Sequence, residues 1–186
     1  MELEFPGFRI RSWRAGDEPS LARHADSRQL WRNVRDHFPH PYTLADAKAW
    51  VAFANCARPE TQFAIEVDGE AAGGIGLFLQ EDVARYSAEL GYWLGEAHWG
   101  RGIMTEAVRG FTEHAFRSFD LCRIYAIVFE WNAASRRVLE KAGYALEGQM
   151  RRAAVKQGRV LDQFLYATVR DFRSDAAVGG AQQFPA

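Results

Sequence analysis

Cysteine is scarce in this chain: Cys56 and Cys122 are its two thiols among 186 residues. Two thiols so far apart build neither a disulfide framework nor a metal-ligand pair, and both are expected to be reduced and mostly buried. An excess of one charge is lacking as well. The formal net charge is −1, so no overall field draws the chain to nucleic acid or an anionic membrane, and neither is an expected partner. The arginine pairs Arg136-Arg137 and Arg151-Arg152 read as solvated faces. No stretch approaches the roughly 18 apolar residues of a membrane span. The opening MELEFPGFRIR lacks the basic segment and apolar run of a signal peptide, so a cytoplasmic location is expected. His37 and His40, in HFPH, have no third ligand in view, so no metal is expected. Repeats and low-complexity blocks are absent over residues 1–173, which read as a single domain. The closing SDAAVGGAQQFPA loses periodicity, and 174–186 reads as a flexible tail.

What is present is a well-patterned body, 48% apolar and 13% aromatic. FRIRSW alternates like a first strand, and a polar, Arg-rich helical region follows from Asp17 to about Arg35. Thr43 and Asp46 form a capping-box pattern for a helix through Ala54, with Leu44, Ala47, Val51 and Ala54 as its apolar stripe. Asp68-Gly69 joins two apolar runs as a hairpin turn. SAELGYWL is a strand, Met104 to Ala115 repeats at helical spacing, and LCRIYAIVF reads as a strand covered on both faces. A short helix ends at Gly143, and a closing hairpin turns at Gln157-Gly158. The order β-α-α-β-β-β-α-β-α-β-β predicts an α/β (α+β) fold. Its mixed, mostly antiparallel sheet has about seven strands and helices on both faces. Only the β-α-β over residues 87–128 demands a parallel crossover.

The most informative stretch is AHWGRGIMTEAV. A helix start carries bare backbone N–H groups and the positive end of its peptide dipoles, which a Ser or Asp side chain ordinarily covers. Here Gly100 and Gly102 leave that entrance open, Arg101 adds a cation and Thr105 a hydroxyl. A phosphate or pyrophosphate is the natural occupant. A tight turn needing positive φ would produce the same glycines. The spacing is neither a dinucleotide fingerprint nor a P-loop.

Taken in order, AELGYWL, WGRGIMTEA and WNAASRRVLEKAGYALEG resemble the GNAT superfamily of acetyl-CoA-dependent N-acetyltransferases. With HPYTLADAKAWV they resemble more narrowly the branch that includes the ribosomal-protein N-terminal alanine and serine acetyltransferases. The likeness spans about residues 8 to 170. It implies acetyl-CoA as cosubstrate and a primary amine as acceptor, on a peptide N-terminus or a small molecule. In the superfamily's Gln/Arg-x-x-Gly-x-Gly/Ala loop, Trp99 takes the first place, Gly102 the central one and Met104 the last. Because main-chain amides hold the phosphates, these side-chain departures cost little. The pyrophosphate is then expected over Gly100, Arg101, Gly102, Ile103, Met104 and Thr105, and pantetheine along Trp93 and Leu94. Gly91 is expected to form a bulge that splays its strand from the parallel neighbour and opens the cofactor cleft.

The resemblance also implies chemical roles. Glu89 is either the general base for the amine or a charge paired with an arginine such as Arg85 or Arg123. Glu130 and Glu147 read as surface charges. The superfamily's tyrosine acid falls on Leu139 and is missing, which leaves Ser135 as the group facing the thiol, or as a helix cap. Asn132 bonds pantetheine or caps the same helix. The missing tyrosine supports an alternative, a catalytically weak acyl-CoA-binding sensor. An aminoglycoside acetyltransferase would need an acidic acceptor face, for which Glu60, Glu66, Asp68 and Glu70 cluster near the hairpin. Trp31, Phe38, Trp50, Phe53 and Trp131 read as core aromatics. A homodimer through the final strands fits the pattern, though no residue specifies it.

Overall fold

The computed structural model describes residues 1–171. The expected tail over 174–186 lies outside them. Eight strands form one sheet, β1 (Glu2–Phe5), β2 (Phe8–Ser12), β3 (Gln62–Val67), β4 (Glu70–Leu79), β5 (Ser87–Leu94), β6 (Arg123–Phe129), β7 (Ala145–Lys156) and β8 (Arg159–Val169). Their spatial order is β1-β2-β3-β4-β5-β6-β8-β7, and the β5–β6 pair alone is parallel. The strand beyond the seven expected is β1, a four-residue edge hairpin with β2. Its MELEF was too short to carry a period.

Alternation along β3 sorts the helices to the two faces. Phe63, Ile65 and Val67 point into a core with Val108, Phe111 and Ala115 of α4 (Ile103–Ser118), joined by Leu139 of α5 (Ala133–Lys141). Ala64 points the other way, to Trp13, Leu21, Val51 and Ala54 beside α1 (Glu18–Ala25) and α3 (Leu44–Cys56). Small residues on that second face let α1 and α3 sit close to the sheet. The capping box at Thr43 and Asp46 is fully formed. Leu44, counted in the α3 stripe, is exposed, because it occupies the first turn before the helix meets the sheet. The long Arg-rich helix expected after Asp17 is instead broken. A short α2 (Arg28–Trp31) follows α1 and is capped by the Ser27 side chain. Cys56 is exposed at the end of α3, contrary to expectation, and Cys122 is half-buried beside the Tyr86 carbonyl.

Glu66, on the α1 side of β3, is buried at 7% exposure and accepts hydrogen bonds from Arg11 and Arg9 at 2.5 and 2.7 Å. Burial acts to raise its carboxyl, but those hydrogen bonds and charges overcome it and hold the group below the usual carboxylate range.

Candidate active site

The parallel pairing of β5 with β6 runs through Ser87↔Arg123, Ala88↔Ile124 and Glu89↔Tyr125. Beyond Glu89 the two strands part, while β5 stays on β4 as far as Gly73↔Leu94 and β6 stays on β8 as far as Phe129↔Gln163. The split is therefore at the carboxyl ends of two parallel strands, where open α/β sheets bind ligands. A cleft of about 780 Å³ fills it. The expected bulge at Gly91 is absent, since the β4–β5 register runs unshifted through Gly91↔Gly76. The splay comes from the early end of the β5–β6 ladder. The missing side chain at Gly91 accommodates the Phe78 ring, which a Cβ there would meet at 3.1 Å.

Hydrogen-bond alternation decides which main-chain groups face the split. Gln80 N–H donates to the Ser87 carbonyl and Gly95 N–H to the Ala72 carbonyl, both toward β4. Leu90, Tyr92 and Leu94 therefore turn their main-chain groups toward the vacated β6 side. Trp93 keeps its main chain on β4 and gives the cleft only its indole, against Phe38. The Leu94 carbonyl accepts from the Trp99 Nε1–H at 2.7 Å, which ties the strand end to the next turn.

Two helix starts meet at this cleft and are finished differently. At α5 the Asn132 side chain caps, its Oδ1 accepting from the Ser135 N–H at 3.1 Å. At α4 the cap residue is Gly102, with no side-chain cap. Gly100 and Gly102 have φ of +75° and +81°, a left-handed backbone that other L residues adopt only at a cost, and a Cβ on either would meet nothing within 4 Å. Among the described residues, the amides of Arg101, Gly102, Ile103 and Met104 make no backbone hydrogen bond, whereas Thr105 N–H turns back to the Gly102 carbonyl at 3.1 Å. The glycines have the positive φ that the turn reading requires, and the turn leaves four amides without a backbone partner beside the cleft, as the anion reading requires.

Arg137 and Lys141, one turn apart on α5, line the same cleft and make no ion pair among the described residues. Their signal was the i, i+4 spacing of cations on the helix after WNAAS, which reads as solvent-facing without the fold. Four bare amides, a helix dipole and two free cations fit a diphosphate. Arg101 does not line the cleft. Its guanidinium lies 3.0 Å from His98 Nδ1 and 3.9 Å from Asp68, on the far side of the turn.

The other expected site residues, Trp93, Leu94, Trp99, Gly100, Gly102, Ile103, Met104, Thr105, Asn132, Ser135 and Glu89, all line this one cleft. Glu89 sits at the fork, with a side-chain exposure of 15%, and is ion-paired with Arg35 rather than with Arg85 or Arg123. Arg123 instead pairs with Glu147. Ser135 bridges the split: its hydroxyl lies 2.7 Å from the Tyr92 hydroxyl on β5. Burial pushes the Tyr92 phenol well above the usual tyrosine range, with the Tyr144 charge adding and the Ser135 hydrogen bond opposing. Tyr92 thus stays protonated near neutral pH. Leu139, by contrast, is fully buried in the core. The serine therefore has a tyrosine beside it after all, supplied by the strand rather than by the helix.

The segment between α2 and α3 adds Phe38 and Tyr42 to the lining of the cleft, with Trp50 of α3 and Phe78 of β4. Burial, with Asp46 adding, pushes the Tyr42 phenol up to about 12. The core assignment of the aromatics holds in part. Phe38 and Trp50 pack against the core beside α1 and α3 while also walling the cleft, whereas Phe53 is exposed and Trp31 and Trp131 each lie under a cation. Of the acidic residues near the hairpin, Glu66 and Glu70 are closely paired, while Asp68 stays largely exposed. Glu66 is held by Arg9, Arg11 and Arg14, and Glu70 by Arg23 and His24. No helix among the described residues is long and apolar enough to cross a membrane.

Comparison with known proteins agrees with this geometry. Residues 8–145, more than half of the chain, match the Acetyltransferase (GNAT) domain family. The probable N-acetyltransferase YjcK of Bacillus subtilis is 46% identical over 85 residues, 46% of this chain and 47% of that protein. The ribosomal-protein-serine acetyltransferase of Escherichia coli is 32% identical over 98 residues, 53% of this chain and 55% of that protein. The chain thus spans about half the length of the curated relatives it matches. Among solved structures, RimJ of Mycobacterium smegmatis in complex with CoA-disulfide superposes with a TM-score of 0.79 at 27% identity, over 91% of this chain and 86% of that one. The split parallel pair, the uncapped glycine turn and the match over residues 8–145 agree: the chain belongs to the GNAT acetyltransferase family.

Proposed function

We propose that this chain transfers the acetyl group of acetyl-CoA to a primary amine, a peptide N-terminus first among the acceptors, in the cytoplasm. The observation that carries the reading is the bare entrance of α4 at the mouth of the β5–β6 split. The diphosphate of acetyl-CoA docks on the amides from Arg101 to Met104, with Arg137 and Lys141 beside it. Its pantetheine arm pairs with the main chain of Leu90, Tyr92 and Leu94 as an added strand would. That course brings the thioester to the fork, between Glu89 on one side and Ser135 with Tyr92 on the other.

An alkyl amine is mostly protonated at neutral pH, and Glu89, directly or through a water, receives its proton. The neutral amine attacks the thioester carbonyl, whose developing charge meets a main-chain N–H of β5. The C–S bond then breaks, the Ser135 hydroxyl, backed by the protonated Tyr92, passes a proton to the departing thiolate, and the second proton released by the acylated nitrogen restores the Ser135–Tyr92 pair. Tyr92 beside Ser135 supports turnover over the sensor reading, and the paired state of Glu66 and Glu70 weighs against a polycationic drug. The ribosomal-protein acceptor named for one relative supports a peptide amine, while another relative is named for spermidine.

The test is thiol release from acetyl-CoA by the purified chain across N-terminal peptides and small amines, with the acetylated product identified by mass. Amine-dependent release is expected with at least one peptide. Tight acetyl-CoA binding with no release across a broad panel would overturn the reading in favour of a sensor.

A further inference from the structure

The closing hairpin ends in the turn Gln157-Gly158, and a cation stands on each shoulder. Lys156 is buried, its Nζ 4.0 Å from the centre of the Trp31 ring and 2.7 Å from the Asp36 carboxylate. The hairpin thereby clamps the segment after α2, which carries Arg32 and Arg35. On the other shoulder, Arg159 lies over the Trp131 ring at 5.5 Å, and Arg32 lies over the same ring at 5.3 Å. Two guanidiniums on one indole repel each other, and a tryptophan face compensates that only in part. Both are exposed, and neither makes an ion pair among the described residues.

This pair stands at the acceptor end. Asn33, next to Arg32, lines the cleft, as does Phe129, whose ring packs edge-on to Trp131 at 6.0 Å. The acidic groups around it are largely engaged. Asp36 is taken by Lys156 and Glu89 by Arg35, and Asp162 accepts from the Gln149 side chain and the Arg152 N–H. Glu130 remains exposed. Beside the mouth through which an amine must reach Glu89, next to the lining residues Asn33 and Phe129, stand two exposed cations without an ion pair among the described residues.

Building on the acetyl-transfer reading, we propose that the acceptor is the N-terminus of a polypeptide whose next few residues are acidic, and that Arg32 and Arg159 receive their carboxylates. An extended peptide advances about 3.3 Å per residue, so an amine at the fork leaves the side chains that follow it to reach the rim. A polyamine meets repulsion at the same place.

The experiment uses the full chain, acetyl-CoA and tetrapeptides that share an N-terminal serine followed by three acidic, three neutral or three lysine residues, with free aspartate and glutamate as further acceptors. The acidic series is expected to exceed the neutral one in kcat/KM by roughly tenfold, as two exposed ion pairs allow, and the lysine series to fall below both. In the double variant R32Q/R159Q, and at 1 M salt where the screening length is about 3 Å, the acidic-to-neutral ratio is expected to collapse toward one. Equal rates, a preference for lysine, a ratio that survives the double variant, or free amino acids acetylated as well as peptides would overturn the proposal. If no peptide is acetylated, the transfer reading fails, and acceptor charge is read instead from calorimetric titration of the same peptides into the protein with CoA. Roughly tenfold tighter binding of the acidic series then sustains the proposal, and equal binding overturns it.

Discussion

Replacing Gly102 by glutamate is expected to weaken acetyl-CoA binding by at least about a hundredfold while the protein stays folded. The amides of Gly102 and its neighbours are the docking point, and hydrogen bonds to a charged group contribute about 1.5–3 kcal/mol each, so losing two suffices. A carboxylate at the same helix entrance would occupy the anion's place and repel it. The backbone cost is modest. At φ of +81° a side chain costs about 1–2 kcal/mol, and its Cβ meets nothing within 4 Å. The melting temperature should fall by less than about 10 °C. G102A carries the same backbone strain without the charge and should keep most of the affinity. Calorimetry with a thermal melt of each variant checks this, and unchanged affinity in G102E would remove the loop from its role.

The second large effect is expected from Glu89→Gln. The amide keeps the size of the carboxylate and can still hydrogen-bond Arg35, so the fork should hold its shape and acetyl-CoA its affinity, within about twofold. Turnover with a reactive peptide should fall by roughly a hundredfold or more, the scale of a lost general base. Steady-state kinetics separate the outcomes. A fall in kcat at constant acetyl-CoA affinity supports the base, whereas full activity makes Glu89 a charge that only holds Arg35.

Local chemistry made much of the fold legible. The Asp68-Gly69 turn, the Thr43–Asp46 capping box and the α4 stripe are each decided within a few residues of chain, and all three are formed. The helix interrupted before Arg28 was not legible, because Ser27 caps a second start inside a run that remains polar and helix-compatible throughout. At the site, the glycine turn and every expected residue except Arg101 fall in the cleft, whereas Arg137, Lys141 and Tyr92, which also line it, were not read from sequence. A turn fixes where main-chain amides point, but not where a long side chain swings. The pairings between distant segments were hidden. Arg35 meets Glu89 across 54 positions and Tyr92 meets Ser135 across 43, separations over which no local pattern speaks. The cations over Trp31 and Trp131 belong to the same class, for an indole beneath a guanidinium and an indole in a core look alike in composition. The Gly91 expectation failed for a different reason. A glycine inside a strand signals close approach as readily as a bulge, and here the approach is that of the Phe78 ring.

The central claim is that a helix entrance stripped of side chains holds the diphosphate of the acyl donor, and a crystal structure of the protein grown with coenzyme A tests it most directly. The account predicts diphosphate oxygens within hydrogen-bonding distance of the main-chain nitrogens between Arg101 and Met104, with the thiol end reaching toward Ser135 and Glu89. A diphosphate bound elsewhere, or the Trp99–Thr105 turn refolded so that its own side chains fill that entrance, would contradict it.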